Sequence, residues 1–106
     1  MAENEYQLVL STCSDAETAN ILAKTLVEEN IAACVNVIEN IRSTYRWQGT
    51  IESSQEQLLI IKINAANYAK VEKRLAELHP YELPEIIAVP ITAGLPAYLS
   101  WIDSPA

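Results

Sequence analysis

The stretch Ile41-Arg42-Ser43-Thr44-Tyr45-Arg46-Trp47-Gln48-Gly49-Thr50-Ile51 alternates with period two up to a glycine and then starts back. Ile41, Ser43, Tyr45 and Trp47 fall on one face and Arg42, Thr44, Arg46 and Gln48 on the other, the pattern of an extended strand. Gln48-Gly49-Thr50 is a turn, and Ile51 opens the returning strand. The polar interval Glu52 to Gln57 reads as the exposed part of a long hairpin, before Leu58 to Ile63 re-enters the core. Two polar-faced strands of this length bury little against one small domain. A neighbouring subunit is therefore expected to cover them and their free edges.

Upstream, Tyr6 to Thr12 alternates Tyr6, Leu8 and Leu10 against Gln7, Val9 and Ser11, which predicts the first strand. Ser14 with Glu17 three residues later predicts a capping box, and Ala19, Leu22, Ala23, Leu26 and Val27 line one side of the helix that follows, ending near Asn30. Ala32 to Ile38 is the second strand, apolar on both faces. Downstream, Asn64 or Asn67 caps a second helix with Tyr68, Val71, Leu75 and Leu78 at helical spacing. Glu85 to Thr92 reads as the last strand, and Pro90 within it belongs at an edge or a bulge because it has no N–H to donate. Pro96 suits the first position of a short terminal helix that packs through Tyr98, Leu99, Trp101 and Ile102. The order β-α-β-β-α-β plus a terminal helix predicts an α+β, ferredoxin-like sandwich with two helices on one face of an antiparallel sheet. That architecture serves many tasks and says little about function.

All 106 residues fit one domain, and a hydrophobic half with one fifth charged is ordinary for a soluble globular chain. No apolar run approaches a membrane span, and the acidic N-terminus lacks the features of a signal peptide, so a cytoplasmic location is expected, with no membrane partner. Seven basic against 14 acidic residues, a net of −7, argues against a nucleic-acid partner, whose phosphates need neutralising. Cys13 and Cys34 have no paired-ligand spacing and read as free thiols in or beside strands.

The most unusual stretch for chemistry is His79-Pro80-Tyr81-Glu82-Leu83-Pro84-Glu85, which holds the only histidine. Two prolines stiffen it, so it either holds polar groups in one place or simply ends a helix. A single histidine leaves no Ser-His-Asp constellation, two glycines leave no phosphate loop, and Cys and His together are too few for a four-ligand zinc site in one chain. Tyr45 and Trp47 read as contacts to a helix or another subunit, or as walls of a site. Lys62, ending the apolar run Leu58 to Ile61, either reaches the sheet edge or faces an anion or a carboxylate.

Five co-linear motifs carry a specific resemblance: Ala32-Ala33-Cys34-Val35-Asn36, Ser43-x-Tyr45-x-Trp47-x-Gly49-x-Ile51, Glu56-x-x-x-x-Ile61-Lys62, His79-Pro80-Tyr81-Glu82-x-Pro84-Glu85 and Tyr98-Leu99-x-Trp101. Together, from about Leu8 to Ile102, the chain resembles the CutA divalent-cation tolerance proteins. The resemblance implies a ferredoxin-like subunit in a tight homotrimer shaped like the nitrogen-regulatory PII proteins, cytoplasmic, non-enzymatic, and linked to copper and other divalent metals. Copper-binding members carry a cysteine ending strand one and a His-His pair before Pro-Tyr. Here Ser11 and Leu78-His79 stand at those places, so only His79 carries over. The expected site is then a cleft with His79, Glu82 and Glu85 as ligands to copper(II) or another divalent cation, weakly held. Tyr81 is expected beside it as a ligand-binding residue, together with Lys62, Tyr45 and Trp47 from the same chain or from a neighbouring subunit. Two alternatives remain open: a PII-like sensor of a small anionic ligand, and a structural trimer that adapts another protein.

Overall fold

In a computed structural model that describes residues 5–105, the period-two stretches pair into one antiparallel sheet. Its strands are β1 (Tyr6–Cys13), β2 (Cys34–Trp47), β3 (Thr50–Asn64) and β4 (Ile87–Pro90), in the order β2-β3-β1-β4. Helix α1 (Ala16–Glu28) joins β1 to β2, α2 (Tyr68–Leu78) joins β3 to β4, and α3 (Pro96–Asp103) ends the chain. This is the α+β, ferredoxin-like order the sequence predicts.

The register decides which side chains the helices cover. Val9 lies opposite Ile61, which lies opposite Val35 on the far side, so one face of the sheet carries Val9, Val35, Val37, Leu59, Ile61 and Ile63. Ala19, Leu22 and Leu26 of α1 and Val71 and Leu75 of α2 close onto it to form the core. Each fully buried aliphatic side chain there contributes about 1.5–3 kcal/mol of transfer free energy. The opposite face carries Leu8, Leu10, Leu58 and Ile60, and neither α1 nor α2 covers it. Its outlying members Ile38, Ile87 and Val89 are exposed. Only α3 lies on that side, at the Tyr6–Asn64 end, where Asp103 accepts hydrogen bonds from both residues at 2.7 and 2.6 Å.

The helix ends differ from expectation in instructive ways. Asp15, not Ser14, caps α1: its carboxylate accepts from the Thr18 N–H at 2.7 Å, while the Ser14 hydroxyl donates to Asp15 at 3.2 Å. An aspartate one residue nearer the first turn displaces the expected Ser14–Glu17 box. At the other end Asn30 takes φ +61°, with Asn30 N–H donating to Val27 and Ile31 N–H to Leu26, which closes the helix as a Schellman motif. Of the two candidate caps for the second helix, Asn64 is the one used. It holds the Ala66 N–H at 2.8 Å and starts a single 3-10 turn before α2, while Asn67 makes no side-chain cap.

The hairpin is longer and more continuous than the sequence predicts. β2 runs through what reads as two strands, and Glu52 to Gln57 continues the hairpin as expected, exposed at Glu52, Ser53 and Gln55 but buried at Glu56 and Gln57. Between Ile38 and Ile41 the register slips, so Glu39 and Asn40 oppose Gln57 alone, with Asn40 at φ +63°. This β-bulge resets the alternation. Val35 and Val37 face the helices, but Ile41, Ser43, Tyr45 and Trp47 pair with Glu56, Ser54, Glu52 and Thr50 on the opposite face. Gln48 and Gly49, both at positive φ, make the two-residue turn. The last strand is shorter than Glu85 to Thr92. It pairs with β1 only from Ile87 to Pro90, on the sheet edge where a proline is tolerated.

Candidate functional site

The bulge turns Tyr45 and Trp47 toward the proline loop, and the two segments enclose a cleft of about 720 Å³. From the hairpin come Ser43, Thr44, Tyr45, Trp47, Glu52 and Glu56, from the end of β1 Thr12, and from the loop Tyr81, Glu82, Leu83 and Glu85. Five of the seven residues expected at the site, Tyr45, Trp47, Tyr81, Glu82 and Glu85, thus meet in one chain. No lysine, arginine or histidine lines the cleft.

His79 lies beneath the loop and is only 7% exposed. Its Nε2–H donates to the Thr12 carbonyl at 2.7 Å, and its Nδ1 accepts the Tyr81 N–H at 3.1 Å. A carbonyl only accepts and an amide N–H only donates, so the ring is fixed as one neutral tautomer with neither nitrogen unshared. This corrects the expected metal triad. His79 has no lone pair for an ion, and among the described residues no three His, Cys, Asp or Glu side chains gather to hold one. The residues present do not fit a nitrogen-ligated copper site. Instead the imidazole fastens the loop to the end of β1.

Tyr81 carries the next link. Its ring lies 4.6 Å from that of His79, centre to centre, and its hydroxyl donates to the Glu56 carboxylate at 2.6 Å. Burial, then the neighbouring Glu56 carboxylate, pushes the Tyr81 phenol far above its ordinary value, so it stays a donor. Glu56 itself is 7% exposed and has this one hydrogen bond. Tyr45 is oriented by a 3.3 Å contact between its hydroxyl and that of Ser54.

Lys62 is not in the cleft. It pairs with Leu8 and Cys34 at the α3 end of the sheet, with its ammonium 5.6 Å from the centre of the Tyr98 ring. Six residues of strand separate it from Glu56, or about 20 Å. Within one chain Lys62 and Glu85 stand at opposite ends of the open face, so a Lys62 beside Glu85 would have to come from a neighbouring subunit. Both cysteines are free, and burial raises the pKa of the Cys13 thiol, which suits an inert filler.

Glu52 and Glu56 are site residues that sequence reasoning missed. Glu56 falls within one of the recognised motifs, and the unbroken alternation of β3 sets it on the face of Leu58 and Ile60, while the bulge in β2 brings Ile41 opposite it.

The model of the CutA1 divalent ion tolerance protein family matches residues 7–105. The chain belongs to that family. It is 45% identical over 96 residues to the divalent-cation tolerance protein CutA of Thermus thermophilus, covering 91% of this chain and 93% of that one. The crystal structure of CutA from Xylella fastidiosa superposes with a TM-score of 0.92 at 49% identity, over 94% of this chain and 96% of that one. A chloroplastic CutA of Arabidopsis thaliana is 39% identical over 97 residues, 92% of this chain but 53% of that longer one. Family members are named for tolerance of divalent cations and not for a reaction. No helix among the described residues is long and apolar enough to cross a membrane.

Proposed function

We propose that this CutA-family chain is a non-enzymatic, homotrimeric binding protein of the cytoplasmic response to divalent cations, with the hairpin–loop cleft as its cation-attracting site. One observation carries the reading: four carboxylates, Glu52, Glu56, Glu82 and Glu85, line a cleft without a single basic side chain. Such a cleft concentrates positive charge and repels anions, which speaks against an anion sensor. Copper(II) and other divalent ions meet exposed Glu82 and Glu85 at the cleft, through oxygen contacts only, and are held weakly. The uncovered apolar face of the sheet supports assembly, because Leu8, Leu10, Leu58 and Ile60 sit where a second and third copy can bury them. Two unpaired thiols fit a reducing compartment.

Calorimetric titration with copper(II) at neutral pH tests the site. Glu82→Gln combined with Glu85→Gln is expected to weaken binding several-fold, and folded His79→Ala to leave it unchanged. Loss of binding in His79→Ala alone, with the double variant unaffected, would overturn the proposal.

A further inference from the structure

Three buried side-chain oxygens have no hydrogen-bond partner among the described residues: Gln7 Oε1, Ser11 Oγ and Gln57 Oε1. Gln7 stands four residues up β1 from Ser11, about 13 Å away. The other two belong together. Ser11 lies opposite Leu59 and Cys13 opposite Gln57, so Ser11 and Gln57 are diagonal neighbours on the face that α1 and α2 cover. Fully buried Val9 and Leu59 flank them on that face. Both residues lie under the helices of their own chain, and copies that meet across the open face of the sheet do not reach them.

Ser11 is 0% exposed and Gln57 6%. A hydroxyl and an amide carbonyl left unpaired in an aliphatic core are unfavourable, and protein interiors pair nearly all such groups with protein or with ordered water. The chemistry of the group is neutral. The hydroxyl donates or accepts, the amide oxygen accepts, and the nearest further polar side chain is Cys13, whose thiol donates to the Asp15 carbonyl at 3.6 Å. A set with no charge suits water and not an ion. Diagonal partners across an antiparallel pair stand roughly 7 Å apart or less at Cβ. A serine hydroxyl, one water and a glutamine amide fill that span.

We infer that Ser11 and Gln57 hold one internal water molecule between the sheet and the helices. The water donates to Gln57 Oε1 and shares a hydrogen bond with the Ser11 hydroxyl, and the sulfur of Cys13, opposite Gln57, offers a weak third contact. Thr12, whose carbonyl takes the His79 bond, lies between Ser11 and Cys13 in the strand. The water thus completes the polar end of the core at the point where the proline loop is fastened.

The test is a crystal structure of the full chain at atomic resolution, for wild type and for Ser11→Val. Wild type should show one well-ordered water within hydrogen-bonding distance of both Ser11 Oγ and the Gln57 side-chain amide. Ser11→Val, which puts methyl groups in its place, should lack it. A direct bond between Ser11 and Gln57 with no water, or wild-type density without any water at this place, would overturn the inference. So would a water that stays on Gln57 in Ser11→Val, because Ser11 would then not hold it. The wild-type structure decides alone if the variant does not fold.

Discussion

At the scale of single residues, His79 shows how an attractive ligand becomes a structural fastener. A lone imidazole beside two carboxylates reads as a metal donor, and Pro80 gives it a fixed place. What the residue types do not reveal is that Thr12, 67 positions away, presents its carbonyl 2.7 Å from Nε2. His79→Ala is therefore expected to destabilise the fold by about 1–3 kcal/mol, the cost of leaving a buried carbonyl and amide without partners. Urea unfolding measures it, and a change below a few tenths of a kcal/mol would mean that the loop is held by other contacts. Lys62 teaches the same lesson. Its oddness beside an apolar run was legible, but the answer, a place over the Tyr98 ring, depended on where α3 folds back.

At the scale of elements, periodicity located all three helices and four strands, because each had to turn an apolar stripe or face inward. Boundaries were less legible where two local signals competed. Ser14 and Asp15 both suit a helix cap, and the aspartate prevails because its charge adds to the hydrogen bond. The Thr18 N–H, first through the backbone hydrogen bond, holds the Asp15 carboxyl below the usual carboxylate range. A lowered folded value means that this stabilisation is fully present above the ordinary aspartate pKa of about 3.9 and is lost as pH falls through the folded value. Thermal melts of wild type and Asp15→Asn should accordingly diverge at neutral pH, wild type the more stable, and converge in strong acid. A gap that stays constant with pH would show that the charge plays no part. The hairpin gave the opposite case. Its alternation was plain on both sides of Ile38 to Ile41, but which arm residues share a face with the core depends on one extra residue in β2 that composition does not mark.

At the scale of the whole molecule, the chain measures 45 × 25 × 23 Å, long because the hairpin projects beyond the helices. The proposal of a covering neighbour rests on an arm too long for one domain, a length legible in the sequence. The open apolar face behind the sheet was less so, since Leu8 and Leu10 read equally well as core until the register assigns Val9 to the helices. Sedimentation of the purified protein is expected to give three times the 11.8 kDa chain mass. Ile87→Glu, at a position half exposed in the single chain, should lower that mass while far-ultraviolet circular dichroism keeps its shape. Wild type sedimenting as a monomer at micromolar concentration would sink the trimer. The cleft itself was legible in five of its residues, and the floor carboxylate was not, because burial is a property of the assembled surfaces.

The bulge at Glu39 and Asn40 also governs how this arm can change length over generations. Every β2 side chain beyond it owes its direction to a count of one. Losing Asn40 alone would swing Tyr45 and Trp47 to the other side of the ribbon and empty the cleft of its rings, with no residue type altered. Removing a matched pair from each strand would shorten the arm and keep every ring where it is. Insertions and deletions on either arm are thus tolerable in even steps, and a single-residue change there is a switch of sides.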